Sequence, residues 1–142
     1  MSTPGGGVTV VVANADDTVC EVLARIVEAA GHEAVRVTDA AQVSGAVLSA
    51  PAEALVLDLG SANVEQLRSL RAGDHPRSTE CRAVVISTGP ANSLLAWQAG
   101  ADAVLTRPFP AEALQATLTE VLARTNPERD ATRAAQAAAL AG

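Results

Sequence analysis

Carboxylates follow two short apolar runs of this sequence, in a pattern that suits a divalent cation. After the first run, Asp16 and Asp17 come directly behind Asn14 and Ala15, and the third run ends in Asp58. Carboxylate oxygens are the ligands that a hard cation such as Mg²⁺ prefers. These residues predict a metal site if the fold brings the two segments together.

Hydroxyl and cationic side chains follow two later apolar runs and suit a phosphoryl group. Ser87 and Thr88 close the fourth run, and the fifth run leads into Arg107 and Pro108. A hydroxyl and a guanidinium can both donate hydrogen bonds to phosphoryl oxygens. The four segments could together bind a phosphoryl group beside a metal ion.

Five apolar runs alternate with helical patterns, which predicts an open parallel sheet with helices on both faces. Short connections and right-handed crossovers favour a flavodoxin-like, doubly wound α/β fold with strand order 2-1-3-4-5. In such a sheet the strands' carboxyl ends share one edge, where chemistry is expected. The predicted strands cover 8–13, 34–37, 54–58, 83–86 and 103–105. The predicted helices cover 18–31, 39–49, 63–70, 93–99 and 110–124, with a polar loop at 73–79.

Two polar residues are predicted to begin helices. Thr18, with Glu21 three residues later, fits a capping box at the start of the first helix. Asn63, with Gln66 three residues later, is predicted to cap the third helix in the same way.

Composition indicates one acidic domain and excludes several functions. The 142 residues carry 10 basic and 16 acidic side chains, a net charge of −6, and all the basic residues are Arg. This balance, with Trp97 and Phe109 as the only aromatic residues, argues against nucleic-acid binding. No apolar stretch is long enough to span a membrane. Cys20 and Cys81 lie too far apart for a metal or redox motif and suit a cytoplasmic chain.

The two ends of the sequence differ in composition from its middle. Residues 1–7 are rich in glycine and predict a flexible leader, whereas 8–125 carry the alternating pattern of one domain. Residues 126–142 are rich in Ala, Arg and Gln and predict a frayed helix or a disordered tail.

Several of these residues together carry a resemblance to a known family. Asp58, the hydroxyls of 87–88, the segment Ala-Gly-Ala-Asp at 99–102 and Arg107-Pro108-Phe109 occur in one order. With them, residues 8–124 resemble the receiver domain of bacterial response regulators.

The resemblance implies a role for each of these positions. Asp58 would accept a phosphoryl group from a sensor histidine kinase or a phosphotransfer protein. Asp58, an acidic pair after the first strand and the carbonyl of Gly60 would hold Mg²⁺. Ser87, which directly follows its strand, or else Thr88, would bind the phosphoryl group with the cation after the fifth strand. Pro108 would follow a cis peptide bond.

The sequence departs from the family pattern at the acidic pair and at the cation. An ungapped alignment places Asn14 and Ala15 at the acidic pair, with Asp16 one residue later and Asp17 at a helix cap. An insertion would instead make Asp16 and Asp17 the pair. The ungapped version leaves Asp16 and Asp58 as the nearby carboxylates and predicts weak Mg²⁺ binding.

The cation and one position before it also differ from the family. Arg107 stands where the family has Lys, which is not a neutral exchange at a phosphate site. A chain without any Lys also allows a compositional explanation of Arg107. Val104 stands where the family often has an aromatic residue.

Three functions remain open from the sequence. The first is a single-domain response regulator that is phosphorylated on Asp58 and signals by protein contact, through an unknown partner at the Trp97 region or through a homodimer. The second is a pseudo-receiver that binds proteins without phosphorylation. The third is a flavodoxin-like enzyme or cofactor binder, but 14–18 lack the glycines of a phosphate-binding loop.

Overall fold

A computed structural model of the chain describes residues 7–87 and 89–141. The predicted leader at 1–7 therefore lies almost wholly outside the described residues, and Thr88 lies outside them too.

The described residues form one five-stranded sheet in which all neighbouring strands are parallel. The strand order is β2-β1-β3-β4-β5, which confirms the predicted doubly wound fold. The strands are β1 (Thr9–Asn14), β2 (Glu33–Val37), β3 (Ala54–Asp58), β4 (Arg82–Ser87) and β5 (Ala103–Thr106).

Seven α-helices and two 3₁₀ turns surround this sheet in the described residues. The helices are α1 (Asp17–Ala29), α2 (Val43–Ser49), α3 (Asn63–Arg71), α4 (Pro76–Glu80), α5 (Pro90–Ala99), α6 (Ala111–Ala123) and α7 (Asn126–Ala141). The 3₁₀ turns span Ala40–Gln42 and Gly60–Ala62. None of the described helices is both long and apolar enough to cross a membrane.

The core has two layers because successive strand side chains point to opposite faces of the sheet. Val11, Leu55 and Val85 pack on one face with α2, α3 and α5. Val12 and Val56 pack on the other face with α1 and α6. Each fully buried Val or Leu contributes about 1.5–3 kcal/mol, so the central strands hold the functional edge rigidly.

Both predicted helix caps are wrong, each for a local reason. Helix α1 begins earlier than predicted because the Asp16 carboxylate accepts the Val19 N–H at 3.1 Å, so Thr18 is already helical. The turn Gly60–Ala62 precedes α3, so Asn63 is its first helical residue and not its cap.

Two further segments differ from the sequence expectation. The polar loop predicted at 73–79 contains the short helix α4, which begins with Pro76, a residue favoured in the first turn. The tail at 126–142, predicted as frayed or disordered, continues as α7, in which Arg129 is buried. Ion pairs hold the beginning of α7, and a polar composition does not reveal them.

Trp97 is buried in helix packing, and the partner surface predicted at its region stays a prediction. Trp97 is 8% exposed and belongs to the core cluster on the α5 side of the sheet. Ala137 of α7 packs against the same cluster. Helix α7, whose residues the sequence predicts as a frayed helix or a disordered tail, therefore lies at the Trp97 region, where a partner is expected.

Candidate functional site

The ends of four strands bring the candidate residues to one edge of the sheet. Asn14 and Asp58, the last residues of β1 and β3, are register partners. Ser87 and Thr106 are register partners at the ends of β4 and β5, and Arg107 follows directly. Because parallel strands end on the same side, the register alone gathers these side chains.

Both carboxylate oxygens of Asp58 accept hydrogen bonds from groups of this chain. Arg107 donates from Nη1 to Oδ1 at 3.2 Å and from Nη2 to Oδ2, which makes a bidentate ion pair. Asn14 donates from Nδ2 to Oδ2 at 2.6 Å. Asp58 is buried, whereas 49% of the Arg107 side chain is exposed. The guanidinium thus covers the carboxylate on its solvent side.

Asn14 is held so that its amide nitrogen faces Asp58. Its Oδ1 accepts the backbone N–H of Asp16 at 2.7 Å, which fixes the orientation of the amide group. Asn14 therefore presents a donor where an acid would present an acceptor, and a metal ligand requires a lone pair rather than an N–H.

The acidic residues after β1 serve the start of α1. Asp16 is exposed and caps the helix, and Asp17 is exposed in its first turn rather than at the cap. Ala15 is exposed and has no side-chain donor atom. Asn14 is the β1 residue that hydrogen-bonds to Asp58, whereas Asp16 caps α1, and the alignment of the acidic pair stays a prediction.

Ser87 faces the beginning of α5 and not Asp58. Its Oγ donates to the Gly89 carbonyl at 3.0 Å and accepts the Gly89 N–H at 3.3 Å. The Ser93 hydroxyl also lies 3.1 Å from it, a partner that the sequence analysis missed. The hydroxyl would have to leave this network to reach a phosphoryl group.

The loop after β3 is fixed by Asn63, another residue whose role the sequence analysis missed. Its Oδ1 accepts the Leu59 N–H at 2.6 Å, and its Nδ2 donates to the Ile86 carbonyl at 2.9 Å. These bonds join the loop to the end of β4. The Gly60 carbonyl, expected to bind a metal, accepts the backbone N–H of Asn63. Gly60 has φ +59°, which favours glycine.

The segment after β5 has the geometry that the resemblance implies. The Arg107–Pro108 peptide bond is cis. Phe109 is half-buried and packs against the core layer on the α1 and α6 side, so an aromatic ring anchors the segment that carries Arg107.

The residues present do not fit a strong Mg²⁺ site. Within residues 7–87 and 89–141, no three His, Cys, Asp or Glu side chains gather in a way that could hold a metal ion. The carboxylate of Asp58 is already neutralised by Arg107, and its other neighbour is the amide of Asn14. Oxygen ligands in sufficient number are what Mg²⁺ requires.

The space beside this edge is small. A cavity of about 20 Å³ is lined by residues that include Gly60, Asn63 and Ser87. This volume is enough for about one water molecule. The cavity lies on the Ser87 side of the edge, beside the turn Gly60–Ala62.

Comparison with solved structures gives similar folds. A protein of Chloroflexus aurantiacus proposed to be a response regulator has 22% identity and a TM-score of 0.75, with 84% of this chain and 100% of that chain covered. The response regulator receiver domain of Bermanella marisrubri has 17% identity and a TM-score of 0.73, covering 82% and 99%. Chemotaxis response regulator CheY4 of Vibrio cholerae has 16% identity and a TM-score of 0.70, covering 82% and 99%.

The chain has the fold of a response regulator receiver domain. No family model matches its sequence and no curated protein sequence matches it, so the likeness concerns the fold. Receiver domains are signalling modules that typically bind Mg²⁺ at an acidic pocket. Beside Asp58, this receiver fold has the amide of Asn14 and the guanidinium of Arg107, and Ala15 follows Asn14.

Proposed function

We propose that this receiver fold is a signalling module that works by protein contact and does not require phosphorylation of Asp58. The observation that carries the proposal is the occupation of the Asp58 carboxylate. Arg107 and Asn14 together donate three hydrogen bonds to its two oxygens. The site is electrically balanced without any added cation.

A phosphoryl donor that approaches Asp58 brings negative charge toward a carboxylate. Transfer of a phosphoryl group depends mainly on positioning and on neutralisation of its negative charge. The two positions that would recruit a divalent cation are an amide and an alanine, Asn14 and Ala15. The guanidinium of Arg107 is already bound to the carboxylate that would have to attack phosphorus. Each of these features slows transfer.

A second candidate is slow phosphorylation of Asp58 by a histidine kinase or a phosphotransfer protein. In that reaction a carboxylate oxygen attacks phosphorus of phosphohistidine, and a new O–P bond forms as the P–N bond breaks. The electron pair stays on the imidazole, which takes a proton from solvent. The half-exposed guanidinium of Arg107 favours this candidate, since it could turn from Asp58 to the transferred group.

Intact-mass analysis after incubation with acetyl phosphate and Mg²⁺ separates the two candidates. The proposal predicts no phosphoryl adduct on the unaltered chain over a wide range of Mg²⁺ concentration. The double variant Asn14→Asp, Ala15→Asp, which rebuilds the acidic pair, is expected to gain an adduct. Asp58→Asn in that background is the control and is expected to lose it.

Two results would count against the proposal. An adduct on the unaltered chain that disappears in Asp58→Asn would establish the second candidate. An adduct that forms at low Mg²⁺ would also show that Asp16 and Asp17 act as the acidic pair despite their place at α1. Failure of the rebuilt variant to react would show that more than the missing acids blocks Asp58.

A further inference from the structure

The last helix, α7, closes a groove between α5, β5 and α6. Thr132, Gln136 and Leu140 of α7 line a cavity of about 340 Å³ together with Trp97 of α5 and Val104 of β5. The cavity also contacts α6 through Thr117 and Glu120. Strand β5 is an edge strand of the sheet, and its residues line the cavity together with those of α7.

The attachment of α7 to this groove depends mainly on one carboxylate. Asp102, which lies between α5 and β5, accepts bonds from Arg129 at 2.6 Å and 3.2 Å and from Arg133 at 3.2 Å. Arg71 of α3 donates to it at 3.0 Å, and the Ala83 N–H at 2.9 Å. Arg129 is only 4% exposed, so its ion pair is removed from solvent.

The apolar part of the attachment is thin. Ala137 is the α7 residue that packs against the core cluster of Trp97, and Leu140 remains 40% exposed. The other alanines of α7 mostly face solvent. A helix held in this way gives up little apolar contact on leaving, but it leaves Asp102 without two of its three guanidinium partners.

This balance determines what could replace α7. A helix without cations would leave a buried carboxylate short of partners, which is unfavourable. A replacement must therefore supply basic side chains where Arg129 and Arg133 lie, four residues apart, and a small residue four positions further, as Ala137 does. The groove therefore favours a helix with positive charge at one end and small apolar side chains along its length.

We propose that α7 is a displaceable cover and that the groove beneath it docks a basic helix of a partner protein. The inference rests on the proposed function only in taking protein contact as the activity of the chain. Two residues, Arg124 and Thr125, join α6 to α7, so the cover stays tethered when it leaves. A partner must compete with this tethered helix, whose effective concentration is high.

Trp97 reports displacement directly, because it is the only Trp in the chain and the chain has no Tyr. In the full-length double variant Arg129→Ala, Arg133→Ala, its emission is expected to shift to the red and its quenching by acrylamide to rise several-fold. Arg25→Ala, which removes an exposed ion pair with Glu21 on α1, is the matched control and is expected to change neither. Unchanged emission in the double variant would overturn the proposal.

A second variant guards against loss of folding. If the double variant loses its cooperative thermal transition, Ala137→Asp places a carboxylate against the Trp97 cluster and keeps both arginines. The same red shift is expected in this variant. Unchanged Trp97 emission in Ala137→Asp would also overturn the proposal that α7 is a displaceable cover.

Binding in trans tests the groove itself. A fluorescein-labelled peptide of residues 125–141 is expected to bind the displaced variant and to bind the unaltered chain at least tenfold more weakly. The same peptide with Ala at both arginine positions is expected to bind the displaced variant at least tenfold more weakly. Equal binding of the two peptides, or equal binding to both proteins, would overturn the proposal.

Size-exclusion chromatography with light scattering tests whether a second copy of this chain, rather than a partner protein, occupies the groove. The unaltered chain is expected to remain a monomer at concentrations where the peptide binds the displaced variant. A dimer that forms through exchange of α7 would assign the groove to a second copy of this chain and overturn the partner helix. None of these readouts depends on modification of Asp58, so their failure is distinguishable from failure of the proposed function.

Discussion

Two aspartates of this chain form ion pairs with arginine at opposite ends of the strands of the same sheet, and each end is called an edge below. Asp58 ends β3 at the carboxyl edge, and Asp102 precedes β5 and binds the N–H of Ala83 near the start of β4. Asp58 has one guanidinium partner, Arg107, whose side chain is half exposed. Asp102 has three, and all of them are largely buried.

The difference in solvent access gives the two ion pairs different roles. A half-exposed guanidinium can leave its carboxylate because water replaces the lost hydrogen bonds, and such pairs stabilise a fold by only about 0–1 kcal/mol. A carboxylate buried among guanidiniums has no such replacement, and removal of one partner from a buried pair costs about 3–5 kcal/mol. The Asp58 edge is therefore adjustable, whereas the Asp102 edge is structural and releases its arginines only to a helix that supplies other cations.

The largest expected effect is the substitution that removes the buried carboxylate. Asp102→Ala leaves Arg129 and Arg71 inside the protein without their anion and is expected to lower the free energy of unfolding by about 3–5 kcal/mol. Asp58→Ala is expected to lower it by less than about 1 kcal/mol, because Arg107 is free to turn into solvent. Urea denaturation followed by circular dichroism measures both.

Asp102→Asn is the control for shape, since it keeps the size of the side chain and removes its charge. Its free energy of unfolding is expected to lie between that of the unaltered chain and that of Asp102→Ala. If the Asp58 and Asp102 variants lose equal stability, the contrast between an adjustable and a structural edge is wrong.

The next effect concerns metal binding at the adjustable edge. The double variant Asn14→Asp, Ala15→Asp brings carboxylates next to Asp58 and is expected to lose about 1 kcal/mol without metal. Saturating Mg²⁺ is expected to restore this loss, with a gain of about 2.7 kcal/mol when its concentration is about 100 times the dissociation constant. Thermal unfolding with and without Mg²⁺ measures the gain. A comparable gain in the unaltered chain would contradict the missing metal site.

Acid is expected to remove the stability that the Asp102 ion pairs contribute, within a defined range of pH. Burial alone would raise the pKa of Asp102, but the hydrogen bonds from Arg129 and Ala83 and the charges of Arg129 and Arg133 hold that pKa below its ordinary value. The stability from this group is therefore present above its unfolded pKa of about 3.9 and is lost as pH falls below that value. Each unit of difference between the two pKa values is worth about 1.4 kcal/mol.

The free energy of unfolding, measured from pH 6 to pH 2 (roughly the range over which a carboxyl titrates), tests the direction of this pKa shift. Asp102→Asn is the reference. The difference between the unaltered chain and the variant is expected to shrink below about pH 4. A difference that grows on acidification would show that Asp102 is not held by its arginines.

The same contrast explains which parts were predictable from sequence. The strands at the adjustable edge are apolar runs that end in polar residues, so the fold and the meeting of Asn14, Asp58 and Arg107 follow from local pattern. The structural edge depends on Arg129, far along the chain from Asp102, and no spacing or periodicity reveals that pairing. The sequence therefore predicts a frayed or disordered tail where the structure has the helix α7.

The helix caps show the same limit at short range. Both Asp16 and Thr18 are good N-cap residues, and the sequence alone does not tell which carboxylate or hydroxyl meets the free N–H groups. Asn63 likewise looks like a cap, but the turn before α3 directs its amide across to the end of β4. A choice between equally suitable polar residues depends on where the backbone turns, and tertiary packing determines that.

The smallest expected effect is an exchange of cation without change of charge. Arg107→Lys keeps a positive charge at Asp58 and loses the bidentate pair, and is expected to change the free energy of unfolding by less than about 1 kcal/mol. Arg129→Lys is the matched change at the other edge. Arg129 donates to Asp102, to Asn126 Oδ1 and to the carbonyl of Thr79. An ammonium cannot reach all of these, so a loss several-fold larger is expected there, measured by the same urea titrations.

This pair of variants also tests why the chain has arginine at 107. If arginine there only reflects a composition without lysine, Arg107→Lys should leave the acetyl phosphate reaction unchanged as well as the stability. If the bidentate guanidinium is what occupies Asp58, the lysine variant should free one carboxylate oxygen and react faster in the background with the rebuilt acidic pair. A faster reaction with unchanged stability would tie Arg107 to the proposed inactivity of Asp58, whereas equal rates in both forms would leave Asn14 and Ala15 as the whole cause of that proposed inactivity.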